Sequence, residues 1–377
     1  MGRYATLRRI PLAIGASAML AGCAGLRVGQ PTPVTGPGPL GVPQPTATQI
    51  AVGANPTRAE PQVNQFVAQV RPPGGRTPAH AYGWLENVHS PRTRHWILAE
   101  NRATAEALAA MPQRAWIRTR LERLRHEGGL ALPGNDVIER VFYLGPDGTR
   151  LPMEIAHRRD LVRDGTAPTL LTVYRSDGKA PGRFLQPMVL VWLEMGGVYA
   201  RAQVRDVIAS VPATRGAATV PDRSLALKDF FAATQYLLDQ RYTRRARLGI
   251  YGRGFGGLMA GAALTRRADS FGVALPTGTW AEYRDISSGN CFPPTLITTA
   301  EHDGVIRPWR AYELAAVLQA EQICPHPILI RIESDEGPGE PESLRRERAA
   351  DELAFAARWL QVQIPRASMG VPSPGTP

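Results

Sequence analysis

Six residues constrain this chain more than any others: Gly252-Arg253-Gly254-Phe255-Gly256-Gly257. They follow the apolar run Leu248-Gly249-Ile250-Tyr251 and precede Leu258-Met259-Ala260-Gly261-Ala262-Ala263-Leu264. A short apolar run ended by glycine reads as a buried strand, and the longer run behind it as a helix. A strand that passes straight into a helix through a glycine turn belongs to an alternating α/β arrangement.

The rest of the chain supports that reading. Strands are predicted at Arg140–Leu144, Leu151–His157, Thr169–Tyr174, Met188–Trp192, Val198–Val204, Leu248–Tyr251, Gly272–Pro276, Thr295–Thr299 and Pro327–Ile332. Helices are predicted at Ser224–Gln240, Phe255–Arg267, Pro308–Ala320 and Glu342–Gln361. Strands and helices of these lengths in alternation imply a mostly parallel sheet covered on both faces. Asp147-Gly148 is a hairpin signal, so the first two strands form an antiparallel edge. Two helices come earlier, from Pro91 to Met111 with Ser90 as cap, and from Pro112 to His126, stopped by Gly128-Gly129.

The N-terminus carries an address. Arg3, Arg8 and Arg9 precede an apolar stretch from Ile10 to Ala21, the pattern of a secretory signal and too short for a membrane span. Leu20-Ala21-Gly22-Cys23 resembles the lipobox of bacterial lipoproteins, which implies lipidation of Cys23 and a periplasm-facing membrane anchor in the cell envelope. Ala24 after the cysteine favours the outer membrane. The chain then divides into a signal at 1–22, a Pro/Gly-rich tether at 23–78, a helical segment at 79–130, an α/β domain at 131–364 and a disordered tail at 365–377.

The formal charge is +11, and removing Arg3, Arg8 and Arg9 with the signal leaves +8. The arginines are scattered along amphipathic helices with no basic-aromatic module, so nucleic acid is not an expected partner. No HExxH, CxxC or P-loop occurs, so no metal and no cofactor are expected. Cys291 and Cys324 each lie four residues before a predicted strand. If those strands are parallel neighbours, both cysteines sit at one end of the sheet, and a structural disulfide is expected in an oxidising compartment.

Strand, glycine turn and helix are also the setting of the G-x-S-x-G nucleophile elbow of α/β-hydrolases. More specifically, the chain resembles the prolyl oligopeptidase family over about 280 residues, the scale of one large α/β domain with a small appendage. The resemblance rests on Tyr82-Gly83-Trp84-Leu85-Glu86-Asn87, Asp147-Gly148-Thr149-Arg150-Leu151-Pro152-Met153, Gly196-Gly197-Val198-Tyr199-Ala200, Asp229-Phe230, Thr299-Ala300-Glu301-His302-Asp303 and Gly337-Pro338-Gly339-Glu340-Pro341. It implies an α/β-hydrolase fold with a short N-terminal helical appendage, serine-peptidase ancestry, and a catalytic aspartate at Asp303.

The departures bear on function. The family's β-propeller lies between the N-terminal helices and the catalytic domain, whereas only about ten residues, Glu127 to Asp136, are available here, and one blade needs roughly 40–50. The nucleophile position is Gly254, which has no side chain. The histidine position is Glu336, and no histidine follows Pro327. An aspartate that orients a base has no use without the base. Tyr174 matches the family's oxyanion donor, but the glycines expected after it are Arg175-Ser176. Of the seven histidines, His302 alone adjoins the site.

Glycine relieves the backbone strain of an elbow, while Glu336 beside Asp303 juxtaposes two carboxylates, which calls for a cation such as Arg253 or Arg307. The expectation is an inactive pseudopeptidase that binds a peptide or protein in the old cleft. Two alternatives stand beside it: an active hydrolase with a relocated nucleophile (Ser176, Ser287 or Ser288), and a structural envelope scaffold.

Overall fold

The computed structural model describes residues 81–127, 130–132, 134–175, 184–205, 224–278, 286, 289–303, 307–336 and 340–364. The signal, Cys23, the tether, the tail, Ser176, Ser287 and Ser288 lie outside them.

A 3₁₀ turn at Gly83–Glu86 leads into α1 (Pro91–Ala109) and α2 (Gln113–His126). Ser90 caps α1, its Oγ accepting the Thr93 N–H at 3.1 Å, with Pro91 in the first turn, where a missing N–H costs nothing. There follow β1 (Asp136–Leu144), β2 (Arg150–Arg158), β3 (Thr169–Arg175), α3 (Pro187–Glu194), β4 (Val198–Val204), α4 (Ser224–Asp239) and β5 (Leu248–Arg253). The chain continues through α5 (Phe255–Arg266), β6 (Val273–Thr277), β7 (Thr295–Asp303), α6 (Trp309–Glu321), β8 (Ile328–Glu336) and α7 (Glu342–Trp359).

The strands form one eight-stranded sheet in the order β1-β2-β4-β3-β5-β6-β7-β8. β1 and β2 are antiparallel, as is the β2–β4 pair, and the remaining pairs are parallel. The antiparallel edge follows from the Asp147-Gly148 turn, where Gly148 takes φ +79°.

Successive residues of the central strands serve opposite faces of the sheet, as the two-residue strand period requires. Leu170, Tyr199, Leu275, Leu296 and Leu329 pack with α2, α3 and α7. Leu171, Ala200, Ala274, Ile297 and Ile330 pack with α4, α5 and α6. The strands therefore read as near-continuous apolar runs, the signature of a sheet buried on both sides. Among the described residues no helix is long and apolar enough to cross a membrane.

One predicted element is of the wrong type. Met188–Trp192 reads as a strand but forms α3, whose residues Met188 to Leu193 are all buried. A continuous apolar run has no period that separates a strand from a helix buried all round. Pro187 in the first turn favours the helix, and Gly196 at φ +82° ends it, its N–H donating to the Leu193 carbonyl at 2.8 Å. Trp192 seats the helix: its ring is fully buried and its Nε1 donates to the Val198 carbonyl at 2.9 Å.

Candidate functional site

The site forms at the C-terminal ends of the parallel strands. At its centre Gly254 joins β5 to α5 with φ +53° and ψ −117°. This is left-handed space that side-chain-bearing residues enter at a cost of about 1–3 kcal/mol. Its neighbours are glycine for a different reason. A Cβ on Gly252 would lie 2.2 Å from the Gly256 carbonyl carbon, and one on Gly257 would lie 2.0 Å from the Thr277 carbonyl oxygen. These two residues let α5 sit directly on the strand ends. Gly254 is exposed, and among the described residues a Cβ there would meet nothing within 4 Å. The turn is thus sharp and open, and Gly254 itself carries no side-chain atom there.

Asp303 ends β7 and Glu336 ends β8, and the two are direct register partners across the parallel pair. The backbone therefore brings Asp303 and Glu336, the two residues expected from sequence at the aspartate and histidine positions, to one edge. The side chains of His302, Asp303 and Glu336 lie outside the described residues.

The strand carrying Glu336 is braced from behind. Arg348 on α7 is fully buried and donates to Glu333 Oε2 at 2.5 Å and to Glu340. Glu333 precedes Glu336 and Glu340 follows it, so one guanidinium holds both ends of this segment. The network extends outward: Arg331 pairs with Glu333 at 3.0 Å and with Asp351, and Arg114 pairs with Asp351 and, at 3.0 Å, with Glu347. Buried charges persist only when paired in this way. Sequence reading missed this clamp, because its partners come from α2, β8, α7 and Glu340 in the loop before α7, and no local spacing announces them.

Arg253 meets a carboxylate that the sequence reading did not name. Its positive charge acts on Glu352 of α7, which is fully buried and accepts the Thr277 hydroxyl at 2.8 Å. Burial raises the Glu352 pKa, and Arg253 and the Thr277 bond work against that rise. The expected partnership of Arg253 or Arg307 with Asp303 or Glu336 rests on the two carboxylates, whose side chains lie outside the described residues.

Tyr174 stands at the end of β3, half-buried, next to the elbow: its neighbour Val173 carries the carbonyl that a Cβ on Gly256 would approach to 3.3 Å. Its hydroxyl donates to Gln203 Oε1 at 3.1 Å, and Gln203 is its register partner on β4. Burial raises its pKa, so it stays a neutral donor at ordinary pH. Acting on an oxyanion would require giving up Gln203. Arg175 places its guanidinium carbon 5.3 Å from the Phe255 ring centroid, a cation–π contact that ties β3 to the first residue of α5.

His157 is a structural histidine. It is buried, its Nδ1–H donates to the Arg158 carbonyl at 2.7 Å, and its Nε2 meets Glu139 at 3.2 Å.

The profile described as "Prolyl oligopeptidase family" matches residues 224–292, from α4 through the elbow and β6. The prolyl endopeptidase of Elizabethkingia meningoseptica is 32% identical over 261 residues, which cover 59% of this chain and 37% of that protein. Prolyl oligopeptidase A of Amanita bisporigera is 28% identical over 278 residues, 60% of this chain and 35% of that one. A structure from a study of two prolyl endopeptidases superposes with a TM-score of 0.52 at 28% identity, covering 61% of this chain and 39% of the other. Over this catalytic-domain portion the chain is related to the prolyl oligopeptidase family. Prolyl oligopeptidase B of Galerina marginata, at 24% identity and a TM-score of 0.53, shares the fold.

The chain spans little more than a third of the length of the curated relatives it matches. Its sheet and helices correspond to the α/β-hydrolase catalytic domain. Between the end of α2 at His126 and the start of β1 at Asp136 there is no room for a propeller.

Proposed function

We propose that this chain is a catalytically silent prolyl-oligopeptidase-like protein, anchored in the cell envelope through lipidated Cys23, whose old cleft binds a peptide or a protein segment. The observation that carries the reading is Gly254: the turn keeps the φ, ψ and openness of an elbow and has no atom that could attack a carbonyl. Glu336 at the histidine position removes the general base as well. The braced strand ends and the intact elbow leave a preorganised floor, which suits binding. A peptide ligand is supported by the names of the relatives, such as the prolyl endopeptidase of Elizabethkingia meningoseptica at 32% identity.

Two measurements test this. A fluorophosphonate probe should label no residue of the purified protein, and proline-containing peptides should bind without being cut. Stoichiometric labelling of any serine, or turnover, would sink the proposal and favour a relocated nucleophile. Failure of every peptide to bind would favour a scaffold. For the anchor, Cys23→Ser should move the protein from the membrane fraction to the soluble one.

A further inference from the structure

We propose that Cys291, Cys324 and His326 form a thiol-gated site for a thiophilic d¹⁰ metal ion such as Zn²⁺: disulfide when oxidised, metal centre when reduced. The disulfide joins Cys291 and Cys324 at a Cα separation of 5.1 Å. A ring nitrogen of His326 and the two sulfurs all lie within 4.8 Å of one another. A tetrahedral zinc ion with Zn–S of about 2.3 Å and Zn–N of about 2.0 Å needs donors about 3.5–4 Å apart, within reach of small side-chain shifts. Two thiolates and an imidazole are the donor set that such an ion prefers, with the fourth position open to water.

The surroundings suit a ligand histidine. The Nδ1–H of His326 donates to the Phe292 carbonyl at 2.9 Å, which fixes the tautomer and leaves the Nε2 lone pair for a metal. The two cysteine loops are also held together independently of the disulfide. Gln322 Oε1 accepts the N–H groups of Phe292 at 3.0 Å and Cys324 at 3.2 Å. Gln322 Nε2 donates to the carbonyls of Phe292 at 3.0 Å and His326 at 3.2 Å. Breaking the S–S bond therefore leaves the donors in place. Cys291 is exposed and Cys324 half-buried, so a reductant and an ion can reach them.

The chemistry balances with an external dithiol as reductant. Two electrons and two protons pass from the dithiol to the S–S bond, giving two thiols and the dithiol's own disulfide. Metal binding then forms two M–S bonds and releases two protons to solvent. The site lies at the N-terminal ends of β7 and β8, opposite Gly254, so it is separate from the cleft.

The test is Co²⁺ titration of the full chain, oxidised and after reduction with removal of the reductant. Reduced protein should bind one Co²⁺ with a thiolate-to-cobalt charge-transfer band, Zn²⁺ should displace it, and oxidised protein should show no band. His326→Ala should weaken binding at least tenfold while its oxidised form melts close to wild type. A reduced wild-type chain that forms no 1:1 complex, or one without the thiolate band, overturns the proposal. So does a His326→Ala chain that binds as tightly as wild type. If His326→Ala fails to fold, the oxidised and reduced wild-type titrations decide the matter alone.

Discussion

Asp303 and Glu336 are register partners on the adjacent parallel strands β7 and β8. Neighbouring strands run about 4.8 Å apart, so two acidic residues share one edge where the family's pattern has an aspartate and a histidine.

The first prediction concerns that edge together with the elbow. Gly254→Ser should lower stability by about 1–3 kcal/mol, because serine must adopt φ +53°, and should restore no activity without a base. Gly254→Ser with Glu336→His should gain reactivity toward a fluorophosphonate probe. Labelling of the single variant at the rate of the double variant would show that the base lies elsewhere.

A second prediction comes from Arg348. Replacing it by methionine leaves Glu333 and Glu340 buried without its charge, a loss of about 3–5 kcal/mol. Urea unfolding measures this. Because the same guanidinium holds both ends of the Glu336 segment, hydrogen exchange at residues 333–341 should accelerate more than at β3 or β5.

Glu100 on α1 makes stability depend on pH. Its carboxyl is 1% exposed and accepts the Gln319 amide at 3.1 Å; burial pushes its pKa from 4.5 up to about 8, with the Gln319 bond opposing. Below about pH 4.5 it is protonated in both states and has no effect. Between 4.5 and 8 the folded protein holds a proton that the unfolded chain releases, so stability falls as pH rises and levels off above 8, a change of a few kcal/mol. Glu100→Gln should flatten this slope and be the more stable protein at pH 9. Equal unfolding free energies at pH 6 and pH 9, measured by denaturant titration, would refute it.

Reduction supplies a fourth prediction. The disulfide closes a sequence separation of 33 residues, for which chain entropy gives about 3–4 kcal/mol. Without added metal, reductant should lower stability by about that amount. Cys291→Ser/Cys324→Ser should match the reduced wild type and be indifferent to reductant.

Much of the fold is legible in the sequence because its signals are local. The Asp147-Gly148 turn sets the antiparallel edge, the apolar runs mark the strands, and the cap at Ser90 with Pro91 marks the start of α1. Met188–Trp192 misleads because a run buried on every side carries no period. The reading of Gly254 and Glu336 is also local, because a residue type at a motif position states by itself what side-chain chemistry it lacks.

The sequence alone therefore determined the α/β alternation and the glycine turn around Gly254, since steric demands and side-chain chemistry at single positions need no partner. The tertiary structure decided that Tyr174 donates to Gln203, that Arg348 brackets the Glu336 segment from α7, and that His326 stands beside both cysteines. Those relationships join residues far apart in the chain, and only strand register and the packing of two helical layers on one sheet set which of them meet.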